Sequence, residues 1–149
     1  MTDQSETWTG GCLCGAIRFR LTVKPTLAGF CHCRMCQKAG RMAVATIPIE
    51  SFGFTKGKAL GYESSPGWMR IFCSTCGTSL GMHAAKAPKL MDVTVVCLDD
   101  PNVIEPKFHQ YTSSQATWFE MADDLPRHVG VAPEVEELWS RLEGWKQPE

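Results

Sequence analysis

The sequence predicts a mainly β protein that ends in one amphipathic helix. Short stretches of alternating apolar and polar residues, separated by glycine and proline, fill most of the 149 residues. An apolar pattern with helical spacing begins only at Pro133. Seven of the eight cysteines fall into three tight groups, which is typical of metal ligands in a reducing compartment. We therefore expect one domain over residues 1–149, with a β core at about 8–130 and the helix within 131–149.

Eight segments have the composition of strands. In residues 17–23, apolar residues at odd positions alternate with arginine and threonine, as in a half-buried strand. Residues 42–49 are apolar and rich in β-branched side chains. Between residues 27–33 and 42–49, residues 34–39 favour a helical turn that ends at Gly40. The other predicted strands are residues 27–33, 52–54, 59–63, 68–72, 91–97 and 107–111.

The last segment is predicted to be helical because its apolar side chains recur every three or four residues. Proline suits the first helical turn, and glutamates near the helix start favour the local dipole. The apolar stripe is too large to leave in water, so it should pack on the β core or on a second chain, as in a homodimer. It comprises Val135, Leu138, Trp139, Leu142 and Trp145.

Charge and hydropathy exclude several classes of function. The net charge is −1, whereas a nucleic-acid-binding domain usually carries a basic patch. No apolar run approaches the roughly 18 residues of a membrane span. Residues 1–6 are polar and acidic, unlike a signal peptide. We expect a cytoplasmic protein with neither a nucleic-acid nor a membrane partner.

The spacing of the cysteines predicts two zinc ions per chain. A closed structural zinc takes four protein ligands, whereas a catalytic zinc usually has three and an open position. The simplest partition closes the first and last groups around one zinc and leaves the middle group to hold a second, although other pairings fit the spacing. Cys97, on a predicted strand, is interpreted as a small buried hydrophobe, with a fourth-ligand role as the alternative. The three groups are Cys12 and Cys14; Cys31, Cys33 and Cys36; and Cys73 and Cys76.

Two histidines are candidates for handling protons. His32 lies between two cysteines, and on an extended strand it would face away from them. A supporting or proton-transferring role is therefore favoured over metal ligation. His109 either lines a pocket or has a structural role.

Several cations and aromatic residues are candidates for binding a substrate. Arg34, Lys38 and Arg41 would share one face of a helical turn and could hold carboxylates, although a solvated basic face is the alternative. Arg70 precedes the last cysteine group and could approach the same side. Trp68 and Trp118 would line a cleft or fill the core.

The cysteine motifs resemble those of the glutathione-dependent formaldehyde-activating enzymes. The matching stretches are Gly-Cys-Leu-Cys-Gly at 11–15, Cys-His-Cys-Arg-Met-Cys-Gln-Lys-Ala-Gly at 31–40 and Arg-Ile-Phe-Cys-Ser-Thr-Cys-Gly at 70–77. Leu-Asp-Asp-Pro at 98–101, His109 and Trp118 resemble later landmarks of the family. The resemblance implies a β-tent of short sheets, similar to zinc-binding chaperones of small GTPases. It also implies a structural zinc on Cys12, Cys14, Cys73 and Cys76, and a catalytic zinc on Cys31, Cys33 and Cys36.

The activity implied by the resemblance is that of a carbon–sulfur lyase, which joins formaldehyde to glutathione reversibly. A substrate thiol would occupy the open position and add to a small aldehyde, with His32, His109 or water supplying the proton. Arg34 and Lys38 would hold the carboxylates of glutathione. Val-Val-Cys at 95–97 and the terminal helix depart from the family pattern, which could mark a different substrate. The alternative is a non-catalytic zinc-stabilised binding module, but it leaves the middle cysteine group unexplained.

Overall fold

The computed structural model describes residues 6–141 and has the predicted mainly β fold, with two sheets and a C-terminal helix. Most predicted strands are present within one or two residues of their expected ends. The strands are β1 Trp8–Gly11, β2 Arg18–Leu21, β3 Leu27–Cys31, β4 Ala43–Pro48, β5 Phe52–Lys56, β6 Leu60–Ser65, β7 Trp68–Phe72, β8 Ser79–Ala84, β9 Leu90–Thr94 and β10 His109–Gln110. The α-helices are α1 Arg34–Lys38 and α2 Pro133–Ser140.

The two sheets pack around a shared apolar core. The small sheet has the strand order β1-β2-β5, and the large sheet has the order β10-β3-β4-β9-β8-β7-β6. All of the pairings are antiparallel except that of β10 with β3. Phe19 and Leu21 of the small sheet and Ile47, Leu80 and Val93 of the large sheet belong to one buried cluster. Cys12 and Cys73, which directly follow β1 and β7, belong to the same cluster.

Helix α2 packs on the β core of its own chain. Val135 and Trp139 are buried in a second apolar cluster with Leu90 and Phe108, and the Trp139 ring lies 6.2 Å from that of Trp68. The described part of the predicted stripe therefore packs within the chain, while Leu142 and Trp145 lie outside the described residues. No helix in residues 6–141 is long and apolar enough to cross a membrane.

The structure corrects the prediction in three places. The strand expected over residues 91–97 ends at Thr94 and is followed by a 3₁₀ turn, Val95–Cys97, so Cys97 does not lie on a strand. Strands β1 and β8 were not predicted. Each contains a glycine at a point where the backbone of another segment approaches closely. A Cβ atom at Gly10 would lie 2.4 Å from the Cys97 carbonyl oxygen, and one at Gly81 would lie 2.6 Å from that of Asp92.

Candidate functional site

Four cysteine sulfurs from two distant turns meet at one point, here called the four-sulfur site. It consists of Cys12, Cys14, Cys73 and Cys76, whose sulfurs all lie within 4.8 Å of one another. The first pair lies in the turn between β1 and β2, and the second pair in the turn between β7 and β8. The site therefore connects the small sheet to the large sheet.

Local backbone geometry orients these sulfurs. Gly15 and Gly77 each have φ +78°, a left-handed conformation that glycine adopts without strain and that lets each turn fold back. The Ile17 amide donates to the Cys12 sulfur at 3.2 Å. The Thr78 hydroxyl lies 3.1 Å from the Cys76 sulfur, and this hydrogen bond lowers the pKa of Cys76 to about 5. The second turn thus favours the thiolate of Cys76, the form of cysteine that binds metals.

Three further sulfurs form a second group, the three-sulfur site. Cys31 ends β3, Cys33 caps α1, and Cys36 lies within α1; their sulfurs also lie within 4.8 Å of one another. The Cys36 amide donates to the Cys33 sulfur at 3.3 Å. The Arg70 guanidinium lies 4.0 Å from the Cys36 sulfur. Seven cysteines are thus divided four and three, the first of the partitions considered from the sequence.

The donor chemistry of both groups fits a soft metal ion. The Cys31 and Cys36 thiols lower the pKa of Cys33, whereas the pKa of Cys31 is raised, mainly by the neighbouring Cys33. Three thiolates this close repel one another, so all three can ionise only beside a cation. The four-sulfur site has the four ligands that a closed zinc site takes, and the three-sulfur site has one fewer.

Cys97 belongs to neither sulfur site. Its thiol is buried and donates to the Ser79 carbonyl at 3.4 Å, and burial raises its pKa to about 11. This environment suits a small buried hydrophobe rather than a metal ligand.

His32 points away from the three-sulfur site and into a chain of polar side chains that runs from the buried histidines to the surface. Its Nε2 lies 2.8 Å from His109 Nδ1, and His109 Nε2 lies 3.0 Å from an Asp123 carboxylate oxygen. Arg127 pairs with the same carboxylate at 3.1 Å. Both histidines are fully buried, and burial lowers the pKa of His32. These side-chain contacts hold His32 in place. The Gln37 and Ser114 side chains also donate to the His32 carbonyl, so the segment that carries Cys31 and Cys33 is held from both its side chain and its backbone.

A cavity of about 520 Å³ opens beside the three-sulfur site. Its size is typical of a pocket for a small organic ligand. All three cysteines of the site line it, whereas none of the four-sulfur site does. Neither His32 nor His109 lines it, but Asp92 does. Much of the remaining wall is apolar: Leu27, Met35, Val44, Pro66, Trp68, Met82, Phe108, Val131, Val135 and Trp139.

Sequence reasoning did not identify Asp92 or Tyr111 as site residues. The Thr46 hydroxyl donates to Asp92 at 2.7 Å, and burial raises the pKa of this carboxyl group. Tyr111 packs against the apolar residues around both the sulfurs and α2. Its φ of 55° is the one positive value at a non-glycine residue in the described chain. Such strain often marks functional sites, but no sequence pattern signals it.

Of the candidate cations, Arg70 lines this cavity, whereas Arg34, Lys38 and Arg41 lie elsewhere. Arg34 and Lys38 line a separate cavity of about 330 Å³, together with Trp118, which is 83% exposed. Arg41 was expected on the same face, and that prediction is wrong. It is fully buried and donates to the Thr94 hydroxyl at 3.3 Å, because helix α1 ends at Lys38 and the chain then turns into β4.

Two comparisons with known proteins give a structure of similar fold and a relative of similar sequence. A crystal structure of a protein from Rhodobacter sphaeroides has 24% sequence identity and a TM-score of 0.52, and covers 61% of this chain and 87% of that one. This match supports the fold alone. A protein of Schizosaccharomyces pombe described as an uncharacterized lyase is 30% identical over 80 residues, 49% of this chain and 55% of that protein. The chain thus spans about half the length of this curated relative.

A third comparison identifies the family. Residues 7–114 match the family model described as glutathione-dependent formaldehyde-activating enzyme. The match contains all seven clustered cysteines, Asp92 and Tyr111, and ends before the segment that carries α2. Because the model covers most of the chain, the protein belongs to the glutathione-dependent formaldehyde-activating enzyme family.

Proposed function

We propose that this protein is a zinc-dependent carbon–sulfur lyase that adds a thiol to a small aldehyde or reverses that addition. One observation carries the proposal: a group of three cysteine sulfurs, one short of a closed zinc site, lines a cavity large enough for a substrate. Family membership and a relative described as a lyase support it. In the forward reaction a sulfur–carbon bond forms, the carbonyl double bond opens, and the thiol proton ends on oxygen.

The two sulfur sites would have different roles. Cys12, Cys14, Cys73 and Cys76 would hold a structural zinc, and Cys31, Cys33 and Cys36 would hold a second. A zinc ion bound at the three-sulfur site would supply Lewis acidity, which lowers the pKa of a substrate thiol. The Arg70 guanidinium, 4.0 Å from the Cys36 sulfur, would offset part of the negative charge of the three thiolates.

Asp92 is the proton-handling group that we assign to the cavity. Thr46 donates to one carboxylate oxygen of Asp92 at 2.7 Å and fixes its orientation, so the other oxygen can hold or release a proton. The Arg41 side chain donates to the backbone carbonyl of Asp92 at 3.4 Å, which fixes the strand beneath it. His32 and His109 are enclosed and already bonded to each other. They would position the cysteine segment instead of meeting the substrate.

The location of Arg34 and Lys38 limits their proposed role. Both line the second cavity, so they could bind the carboxylates of glutathione only if the ligand extends beyond the cavity at the three-sulfur site. Arg70 and Lys86 line that cavity directly. The alternative of a pure binding module gains no support from these observations, because a scaffold would not require the three-sulfur site.

Exchange spectroscopy by NMR tests the proposal. Formaldehyde labelled with ¹³C is mixed with a thiol, and the rate of exchange with the hydroxymethyl thioether is measured with and without the zinc-loaded protein. The protein should accelerate exchange, and Cys36→Ser should abolish the acceleration. The matched control is Cys97→Ser, which alters a buried cysteine outside both sulfur sites. The proposal fails if the fully loaded protein does not accelerate exchange with glutathione or with any alkyl thiol.

A further inference from the structure

The segment that follows the family match closes one side of the cavity. Val131, Val135 and Trp139 line it, and all three lie beyond residue 114, where the match ends. The segment is fixed in place, because the Tyr111 amide donates to the Gly130 carbonyl at 2.8 Å and the Ala132 amide donates to the Gln110 side chain at 3.1 Å. This chain therefore supplies part of the ligand-facing wall from sequence outside the family match.

This wall presents apolar surface to any ligand. Val135 and Trp139 of α2 lie in the same buried cluster as Phe108, and Trp68 packs against that cluster. The Trp139 and Trp68 rings meet at an angle of 61°. An aliphatic or aromatic group placed here would lose water contact on both sides, which favours binding in proportion to the apolar area buried.

The cavity offers few partners for a highly charged ligand. Within residues 6–141, the cations that line it are Arg70 and Lys86. Arg70 is already directed to the Ser64 hydroxyl at 3.0 Å and to the Cys36 sulfur, and Lys86 is exposed at the rim. Glutathione carries two carboxylates and an ammonium group, and a carboxylate left without a partner in such a cavity is strongly disfavoured.

We propose that the cavity takes an apolar thiol, in which an aliphatic or aryl-alkyl group packs against Trp68, Val135 and Trp139 while the sulfur lies at the three-sulfur site. The inference rests on the proposed function for the position of the sulfur, and on the apolar wall for the class of ligand. Affinity should then increase with the length of the alkyl chain, by about fourfold for each methylene buried. Glutathione should bind more weakly than a medium-length alkyl thiol.

Calorimetric titration of the zinc-loaded, full-length protein tests this inference. The ligands are ethanethiol, butanethiol, hexanethiol and glutathione, together with methyl hexyl sulfide, which has no ionisable thiol. Dissociation constants should fall along the alkyl series. The near-isosteric Val135→Thr adds a hydroxyl to the apolar wall and should weaken hexanethiol binding by roughly threefold to tenfold. Val131→Thr should do the same from outside the helix, so the test does not depend on one variant. The matched control is Glu136→Gln, on the exposed face of α2, which should change nothing.

The possible results separate this inference from the proposed function. The inference is overturned if the dissociation constants do not change along the alkyl series, or if glutathione binds more tightly than hexanethiol. This holds even if the protein accelerates exchange with glutathione. If affinity rises with chain length along the thiol series and methyl hexyl sulfide also binds, but no thiol reacts with formaldehyde, the apolar ligand class stands and the lyase chemistry fails.

Discussion

Replacing a cysteine of the four-sulfur site should destabilise the fold far more than replacing one of the three-sulfur site. Cys73 and Cys36 allow a matched comparison, because they are 1% and 3% exposed and the local effect of exchanging sulfur for oxygen is similar. Their sites differ in what they connect. Cys14 and Cys73 are 59 residues apart and join two sheets, whereas Cys31 and Cys36 are five residues apart in one segment.

The difference in stability follows from the loops that the two sites close. The chain entropy that a cross-link removes from the unfolded state grows with the logarithm of loop length. The contributions of these two loops to the free energy of unfolding therefore differ by about 2 kcal/mol. For a chain of this size that corresponds to a difference in melting temperature of roughly 4–8 °C. The loss of folding free energy from a closed zinc site adds to it.

Differential scanning calorimetry of Cys73→Ser and Cys36→Ser, with Cys97→Ser as the control for a buried hydroxyl, measures this difference. We expect Cys73→Ser to melt well below Cys36→Ser or not to fold. Equal melting temperatures, or a lower one for Cys36→Ser, would show that the two sites do not have the assigned structural and reactive roles.

Three further predictions concern the metals, a glycine and the cavity carboxyl group. The protein should hold two zinc ions, and a chelator should remove the one at the three-sulfur site first, as measured by metal analysis with thiol alkylation; a single zinc at saturation, with that site freely alkylated, would contradict this. Gly29→Ala places a Cβ atom 2.1 Å from the Phe108 ring and should destabilise the protein by about 1–3 kcal/mol in denaturant titrations. Adding Phe108→Leu should recover part of that loss, and no recovery would refute the steric explanation. Asp92→Asn should slow aldehyde exchange by about a hundredfold with little change in metal content, and unchanged exchange would exclude a proton-handling role.

The sequence predicted the strands with strong side-chain alternation and the amphipathic helix, because one face of each packs on the core. It could not predict β8, whose burial on both faces removes the alternation. The short β1, half of which is glycine, carries no strand pattern. The run at 91–97 was misleading. Its alternation continues past Thr94, where the backbone leaves the sheet and turns.

The grouping of cysteines could be predicted because ligand spacing and number restrict the choice. The cavity could not, since it depends on residues from β3, β7, β9, β10 and α2 that meet only in three dimensions. Asp92 looks like the solvent-facing residue of an alternating strand, yet it is half-buried and lines the cavity. Arg41 was misplaced because a helical face was extended beyond Lys38, where the helix ends.

The central claim is that the three-sulfur site leaves a metal position open to a substrate thiol, and cobalt substitution tests it most directly. The visible bands of cobalt report the number and kind of its ligands. With cobalt in both sites, a thiol should bind at the three-sulfur site and shift these bands saturably. It should release about one proton per protein chain near neutral pH, because the ligand is the thiolate. Methyl hexyl sulfide should not reproduce the shift, and Cys33→Ser should abolish it. A spectrum that is unchanged by hexanethiol and by millimolar glutathione would contradict the claim.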